Sequence, residues 1–271
     1  MSQQLCYNDV DVFSERSEAA VTSEELMVEP VLRVSGLSFS YPDRDRVLED
    51  INLEVMPGEQ VGIIGPNGAG KTTLFLEICG VLKPSEGEIT VLGRPVLNGD
   101  FRPDVGLVFQ NPDDQLFCPS VRDDVAFGPR NMGLSNEEVE ARINEALSAV
   151  GALKLADRPS HHLSEGEKRM VSIAGVLSMR PRLMIYDEPG ANLDIRSRRR
   201  LIRLLQASKE TLLVASHDLE LVLEVCSRVV LMDEGRIVAD GDPREIMGND
   251  GLMEAHGQEK PHSLIPHQMP H

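Results

Sequence analysis

The feature that most constrains the fold is the glycine-rich stretch GPNGAGKTT at residues 65–73. It follows an apolar run, Glu59–Ile64, that is predicted to be a buried strand, and it precedes Leu74–Cys79, which is predicted to be a helix. The spacing of Gly, four residues, Gly, Lys and Thr is the phosphate-loop pattern, and the flanking strand and helix argue against a chance match. Glycines let backbone N–H groups turn toward a phosphate, and the positive end of the helix dipole points at the same anion. The sequence therefore predicts a nucleoside triphosphate site.

Side chains of the same stretch are predicted to contact the nucleotide and its metal ion. Lys71 can reach the β- and γ-phosphates, and the Thr72 hydroxyl can bind Mg²⁺. The predicted nucleotide contacts are Gly65, Pro66, Asn67, Gly68, Ala69, Gly70, Lys71, Thr72 and Thr73.

Composition limits the classes of partner and compartment. With 27 Lys and Arg against 44 Asp and Glu, the formal net charge is −17, which argues against binding of free nucleic acid. No apolar run approaches the length of a membrane span, and the N-terminus lacks the apolar segment of a secretory signal. The four cysteines are scattered without a CxxC pair, which indicates reduced thiols rather than disulfides or zinc. We therefore expect a cytoplasmic protein.

The predicted elements follow the order of an α/β protein. Apolar strands alternate with helices before and after residues 111–180, and within that range the periodicity is helical. A parallel sheet with a helical insertion is expected within one domain, residues 31–248. An acidic N-terminal extension (1–30) and a histidine-containing tail (249–271) are expected to be flexible.

Polar side chains follow three of the predicted strands, at the sheet edge where ligands bind in such folds. Asp187 would bind Mg²⁺, and Glu188 would orient or deprotonate an attacking water. Gln110 could reach both Mg²⁺ and the water, and His217 could hydrogen-bond a γ-phosphate. Simpler alternatives are a solvated acidic turn at Asp187 and an ordinary strand-end histidine at His217.

These motifs, together with a capped helix start at Ser164, resemble those of the ATP-binding cassette (ABC) ATPases, in the same order, over roughly residues 31–248. Taken alone, Ser164 and Glu167 predict only a capping box. The resemblance implies a phosphate-loop NTPase core of parallel strands with an antiparallel β edge and a helical subdomain. Gly65–Thr73 matches the Walker A loop, Gln110 the Q-loop and Asp187 with Glu188 the Walker B pair. The other roles it implies are adenine stacking by Tyr41, signature contacts in the partner site by Ser164, Gly166 and Glu167, a D-loop contact by Asp194, and the switch role of His217.

The resemblance also implies ATP as substrate with Mg²⁺, and two cassettes that close face to face over two ATP molecules. The second cassette would be an identical chain or a homologous subunit. Three positions depart from the family pattern: Glu165 stands where the signature usually has Gly, Gly190 replaces Thr or Ser, and Ile195 replaces Pro. These departures concern the γ-phosphate and dimer contacts rather than the catalytic groups.

A narrower resemblance lies in Gln110–Phe117, Val121–Gly133 and Glu167–Leu177, which are similar to the ATPase subunits of energy-coupling factor transporters, above all the cobalt and nickel uptake branch. It implies a peripheral subunit on the cytoplasmic face of the membrane that energises import of cobalt or nickel ion or a vitamin through separate transmembrane subunits. Asn111–Phe117 is the predicted contact surface for such a subunit.

Two other functions remain open from the sequence. One is a soluble ABC ATPase unconnected with transport, and the other is a phosphate-loop kinase, which would have no use for the motif at residues 163–167. Histidines near the end raise the question of metal binding, although their spacing is loose: His256, His262, His267 and His271.

Overall fold

The computed structural model describes residues 28–265. Residues 1–27 of the predicted N-terminal extension, and 266–271 of the predicted tail, lie outside the described residues. The strands are β1 Leu32–Tyr41, β2 Arg44–Val55, β3 Gln60–Ile64, β4 Glu86–Val91, β5 Arg94–Pro95, β6 Val105–Val108, β7 Leu183–Asp187, β8 Thr211–Ala215, β9 Arg228–Asp233 and β10 Arg236–Gly241. The helices are α1 Lys71–Ile78, α2 Val121–Asn131, α3 Asn136–Ala149, α4 Glu165–Leu177, α5 Ile195–Gln206, α6 Leu219–Val225, α7 Pro243–Gly248 and α8 Asp250–Ala255.

The central sheet has the strand order β10-β9-β3-β8-β7-β6, and all neighbours except β10 and β9 are parallel. β7 and β8 are buried along their whole length, as expected for apolar strands covered on both faces. Because β3 lies between β8 and β9, the loop that follows β3 emerges in the middle of the sheet edge. The polar residues that follow β7 and β8 emerge at the same edge.

A second sheet, β2-β1-β4-β5, is antiparallel and packs over the other side of α1. Its buried residues form one core with the β3 side chains Val61 and Ile63, whereas Ile64 belongs to the core on the opposite face. The helices α2, α3 and α4 fall within residues 111–180 and supply much of that opposite core. The predicted fold class is confirmed, including the antiparallel edge and the helical insertion.

The elements that were not predicted from the sequence include α2 and β10. The helix α2 contains Gly128 and Pro129, residues that normally interrupt a helix, and its start is fixed by Ser120, which accepts a hydrogen bond from the N–H of Asp123. The strand β10 is a half-exposed edge strand without a continuous apolar run. Its existence depends on pairing with β9 rather than on its own sequence.

The prediction of a flexible tail from residue 249 is wrong for residues 249–265. Helix α8 buries Met253 completely, and a short 3-10 helix follows at His262–Leu264. The His256 Nδ1 lies 2.8 Å from Asp233 Oδ2, and the Ser263 hydroxyl donates to Glu220 at 2.7 Å. The segment packs through a few apolar side chains separated by polar ones, which is why no periodicity marks it in the sequence.

An unpaired acid lies in the core on α1. Glu77 is fully buried, and neither carboxylate oxygen has a hydrogen-bond partner among the described residues. Burial raises the pKa of Glu77 from 4.5 to about 7. Since the folded state holds this proton more tightly than the unfolded chain, the contribution of Glu77 to stability is present at acidic pH and is lost as the pH rises through about 7.

We predict that Glu77→Gln removes this pH dependence. Between pH of about 5.5 and about 8.5, the unfolding free energy of the wild type should fall relative to that of the variant by on the order of 2 kcal/mol. Urea unfolding of both proteins at the two pH values measures the difference. Parallel pH profiles would show that Glu77 is not the group responsible.

Candidate functional site

The loop between β3 and α1 has a backbone shape that side chains would prevent. Gly65 has φ 142°, and a Cβ atom there would lie 1.9 Å from the carbonyl oxygen of Met232. Gly70, the residue before α1, has φ 103°, and within the described chain no side chain caps the first N–H groups of α1. The loop therefore surrounds a space with backbone donors at a helix N-terminus, an arrangement that binds anions.

The side chain of Lys71 folds back over the same loop. Its Nζ donates hydrogen bonds to the carbonyl oxygens of Gly65 at 2.7 Å and Pro66 at 3.0 Å. Burial lowers the pKa of Lys71, while Glu188 and Asp187 act in the opposite direction. The ammonium group thus lies at the loop with its positive charge directed at the cleft where a phosphate would lie.

The acids that follow β7 meet the phosphate loop at the sheet edge. The Thr72 hydroxyl donates to Asp187 Oδ2 at 2.8 Å, so the two predicted Mg²⁺ ligands are in direct contact. Both are oxygen donors, the type that Mg²⁺ prefers, and they fit that ion. The described residues contain no cluster of three or more His, Cys, Asp or Glu side chains suited to a metal ion.

Glu188 lies beside Asp187 with a left-handed backbone, φ 47°. Its Oε2 accepts from the backbone N–H of His217 at 3.1 Å. Its Oε1 lies 3.4 Å from His217 Nε2, yet it is buried and makes no hydrogen bond to the described residues. His217 Nε2 instead pairs with Asn67 Oδ1 of the phosphate loop at 2.8 Å. One carboxylate oxygen of Glu188 is thus fixed, and the other remains able to accept a proton.

The electrostatics favour proton acceptance at this edge. Burial raises the pKa of Glu188, and it also raises the pKa of Asp187 despite the hydrogen bond from Thr72 and the charge of Lys71. A carboxylate with a raised pKa is a stronger base than one in water, as a group that deprotonates water must be.

The cleft brings together most of the predicted nucleotide residues and two that were not predicted, Arg44 and Val47. Tyr41 lines it, with its hydroxyl 3.4 Å from Thr73 Oγ1, and Gln110 lines it from the end of β6. Arg44 also lines the cleft and donates to the Gly68 carbonyl at 3.3 Å. Nothing in the sequence marks Arg44, because the polar stretch around it contains no motif, and the structure places it at the first position of β2.

The signature residues are not among those that line this cleft. Ser164 caps α4, and Glu167 Oε2 accepts from the Ser164 N–H at 2.9 Å, so the predicted capping box is present. Asp194 caps α5 and accepts from the Ser197 N–H at 2.8 Å. In a single chain these groups form helix starts apart from the phosphate loop.

The family follows from comparison with known proteins. The model of the family described as ABC transporter matches residues 48–191. A putative ABC transporter ATP-binding protein of Synechocystis sp. is 55% identical over 237 residues, which is 88% of this chain and 84% of that relative. The chain belongs to the ABC transporter family. As an ABC ATPase, it hydrolyses ATP in coupling to transport.

The narrower resemblance is confirmed as well. The energy-coupling factor transporter ATP-binding protein EcfA of Methanothermobacter thermautotrophicus is 46% identical over 82% of this ABC chain and 74% of its own length. The solved structure of cbiO1 from Clostridium perfringens, part of the ABC transporter complex cbiONQ, superposes with a TM-score of 0.73 at 38% identity, over 84% of this chain and 94% of that one. None of the described helices of this ABC ATPase is long and apolar enough to span a membrane.

We predict that hydrolysis by this ABC ATPase falls as the pH is lowered, starting above the usual titration range of glutamate. The raised pKa of Glu188 means that its carboxylate is protonated, and lost as a base, at a higher pH than in water. Glu188→Gln should keep ATP binding but lower the hydrolysis rate by on the order of 10²-fold or more. Phosphate release across a pH series, with nucleotide binding measured by fluorescence titration, tests both points. A variant that hydrolyses ATP at the wild-type rate would remove Glu188 from the mechanism.

Proposed function

We propose that this chain is the ATP-hydrolysing subunit of an energy-coupling factor type importer, bound to the cytoplasmic face of the membrane through separate transmembrane subunits. The observation that carries the proposal is an apolar groove near β6, the strand after which Gln110 enters the ATP cleft. The similarity of the whole chain to EcfA and to cbiO1 supports the proposal that the transporter is of the energy-coupling factor type. The transported species that we propose is cobalt or nickel ion, or a vitamin, selected by another subunit.

In the proposed chemistry, Glu188 polarises the attacking water. Its unpaired Oε1 supports this role, and the hydrogen bond from the His217 N–H to Oε2 holds the carboxylate in place. The His217 ring, now paired with Asn67, is placed to exchange that partner for a γ-phosphate oxygen. Lys71 and the N–H groups of the loop bind the β- and γ-phosphates, and Tyr41 stacks on adenine.

Thr72, Asp187 and Gln110 are the residues that would hold Mg²⁺, and the 2.8 Å contact between Thr72 and Asp187 supports this grouping. When bound, the ion neutralises phosphate charge and orients the triphosphate. The protein's own contribution is to place its ligands at the end of the phosphate loop, beside the carboxylate of Glu188.

The proposed active unit is a dimer, either of this chain or with a homologous subunit. In this proposal Lys71 and the loop N–H groups bind one side of the γ-phosphate, whereas Ser164, Gly166 and Glu167 begin a helix that does not line the cleft of the same chain. The N-terminus of α4 from a partner would supply donors on the other side. Asp194, at the start of α5, would contact the partner as the D-loop residue.

The apolar groove, which we call the phenylalanine groove, is the proposed contact surface for a transmembrane subunit. It is lined by Phe101, Leu107, Leu116, Phe117, Phe127, Val176 and Met179. Phe117 is 65% exposed and Phe127 is 48% exposed, and their rings meet edge to face with centroids 5.0 Å apart. Large aromatic side chains held open to solvent on this scale are typical of an interaction site. Segment 111–117 links the groove to Gln110, so a partner there would be sensitive to the occupancy of the ATP cleft.

Replacement of Phe117 and Phe127 by Ser tests this surface and the transport function together. The isolated subunit should keep its ATP affinity and basal hydrolysis, because neither residue lines the ATP cleft. Recovery of the transmembrane subunit with the ATPase, and uptake by cells, should fall about tenfold or more, since apolar residues at the centre of an interface dominate its affinity.

Leu153→Ser is the matched control, because Leu153 is 46% exposed and lies in the helical subdomain but not in the groove. It should leave assembly and uptake unchanged. Normal assembly and uptake in the double phenylalanine variant would place the membrane contact elsewhere. A chain that never co-purifies with a membrane protein would favour the soluble ABC ATPase instead.

A further inference from the structure

The segment that begins with Gln110 is attached to the signature helix α4 by polar contacts. Lys168 Nζ lies 2.8 Å from Asp113 Oδ1, and Gln115 Nε2 donates to the Ser172 carbonyl at 3.1 Å. The same Gln115 accepts from the Phe109 N–H at 3.3 Å, which closes the segment on itself. Because of this ion pair and these hydrogen bonds, we expect residues 109–115 and α4 to move together.

Arg169 makes the contact nearest to Gln110. It is 1% exposed, and its two terminal nitrogens donate to consecutive backbone carbonyls, Nη1 to Phe109 and Nη2 to Gln110, each at 2.5 Å. Its Nε has no hydrogen-bond partner among the described residues. Burying a guanidinium costs free energy of desolvation. The two hydrogen bonds to consecutive carbonyls offset part of that cost, and they hold both carbonyls in a fixed orientation.

We propose that Arg169 is a positioning residue for ATP hydrolysis, which acts by fixing the backbone of Gln110 so that the Gln110 carboxamide faces the ATP cleft. Two parallel donors to successive carbonyls fix the orientation of two peptide planes, which a single donor cannot do. The contact also ties Gln110, in one ATP cleft, to the start of α4 in the same chain. The inference rests on the role proposed above for Gln110 in the reaction.

This position of Arg169 predicts a specific kinetic pattern. Among the described residues, no hydrogen bond or ion pair joins Arg169 to the phosphate loop or to Tyr41, so ATP affinity should survive its replacement. The reaction step should not, because the Gln110 carboxamide would no longer be held near the reacting phosphate. Arg169 also carries charge that acts on Asp187, and an effect through that charge would not depend on Gln110.

The experiment compares Arg169→Met with Gln110→Ala and with the double variant. Arg169→Met should lower kcat about tenfold or more with the Kd for ATP within about twofold of wild type. In the Gln110→Ala background, adding Arg169→Met should change kcat by less than about twofold, because there is no longer a Gln110 carboxamide for Arg169 to position. Arg169→Lys, which keeps the charge but not the double donor, should also be slowed, and its effect should likewise disappear in the Gln110→Ala background.

Arg142→Met is the matched control. Arg142 is also mostly buried and donates to two consecutive carbonyls, those of Ser178 at 3.3 Å and Met179 at 3.2 Å, but these lie at the far end of α4. It should match Arg169→Met in any loss of melting temperature while keeping the wild-type kcat.

Four results would overturn the inference. The first is full ATPase activity of both Arg169 variants, and the second is a loss of kcat on adding Arg169→Met that is as large in the Gln110→Ala background as in the wild type. The third is a loss of kcat in Arg142→Met equal to that in Arg169→Met, and the fourth is full ATPase activity of Gln110→Ala itself. The last of these would remove Gln110 from the proposed mechanism, whereas a slow Gln110→Ala with a normal Arg169→Met would refute only the positioning role.

Discussion

The structure depends on one constraint, which is that the loop before α1 must turn sharply at glycines with positive φ, Gly65 and Gly70, and leave its N–H groups around an open space. Gly65 can lie against the Met232 carbonyl only because it has no Cβ, and this lets the loop pass close to the backbone of β9. A parallel sheet is the fold that delivers such a loop and the acids of β7 to the same edge. Burial of side chains at this edge of the sheet also raises the pKa of Glu188, so the packing of the fold itself makes this carboxylate a stronger base.

The sequence predicted the parts of the molecule where local pattern and tertiary structure agree. Strand β8 was predicted with its observed limits, because a buried parallel strand is apolar throughout. It could not predict the elements that depend on their neighbours: β10 needs the edge of β9, and α8 is held by Met253 and by the pair of His256 with Asp233. In the site, the phosphate loop was predicted by its spacing, the residues after β6, β7 and β8 by their position at strand ends, and the remaining roles by resemblance to the family. Arg44 and Arg169 were not, because a charged residue in a turn or on a helix is usually a solvated one.

The position of α4 explains how one chain can carry every motif and yet not bring all of them to its own cleft. Lys71 and Glu188 line the cleft of their own chain, whereas Ser164 and Gly166 are not among the residues that line it. Gly166 packs so closely on α5 that a Cβ would lie 2.2 Å from Ser197 Oγ, so the signature is fixed relative to Asp194. In the proposed dimer such a chain supplies half of each site, and the nucleotide is the group that would join the two halves.

Mixing two inactive variants tests this central claim most directly. Lys71→Ala damages the phosphate loop, and Ser164→Asp keeps a good helix cap but places a negative charge against the partner's γ-phosphate. A heterodimer of the two contains one intact shared site and one doubly damaged site, so random mixing should restore up to about a quarter of the wild-type hydrolysis rate. A mixture no more active than either variant alone would contradict the claim that each site is formed by two chains and hydrolyses ATP independently of the other site.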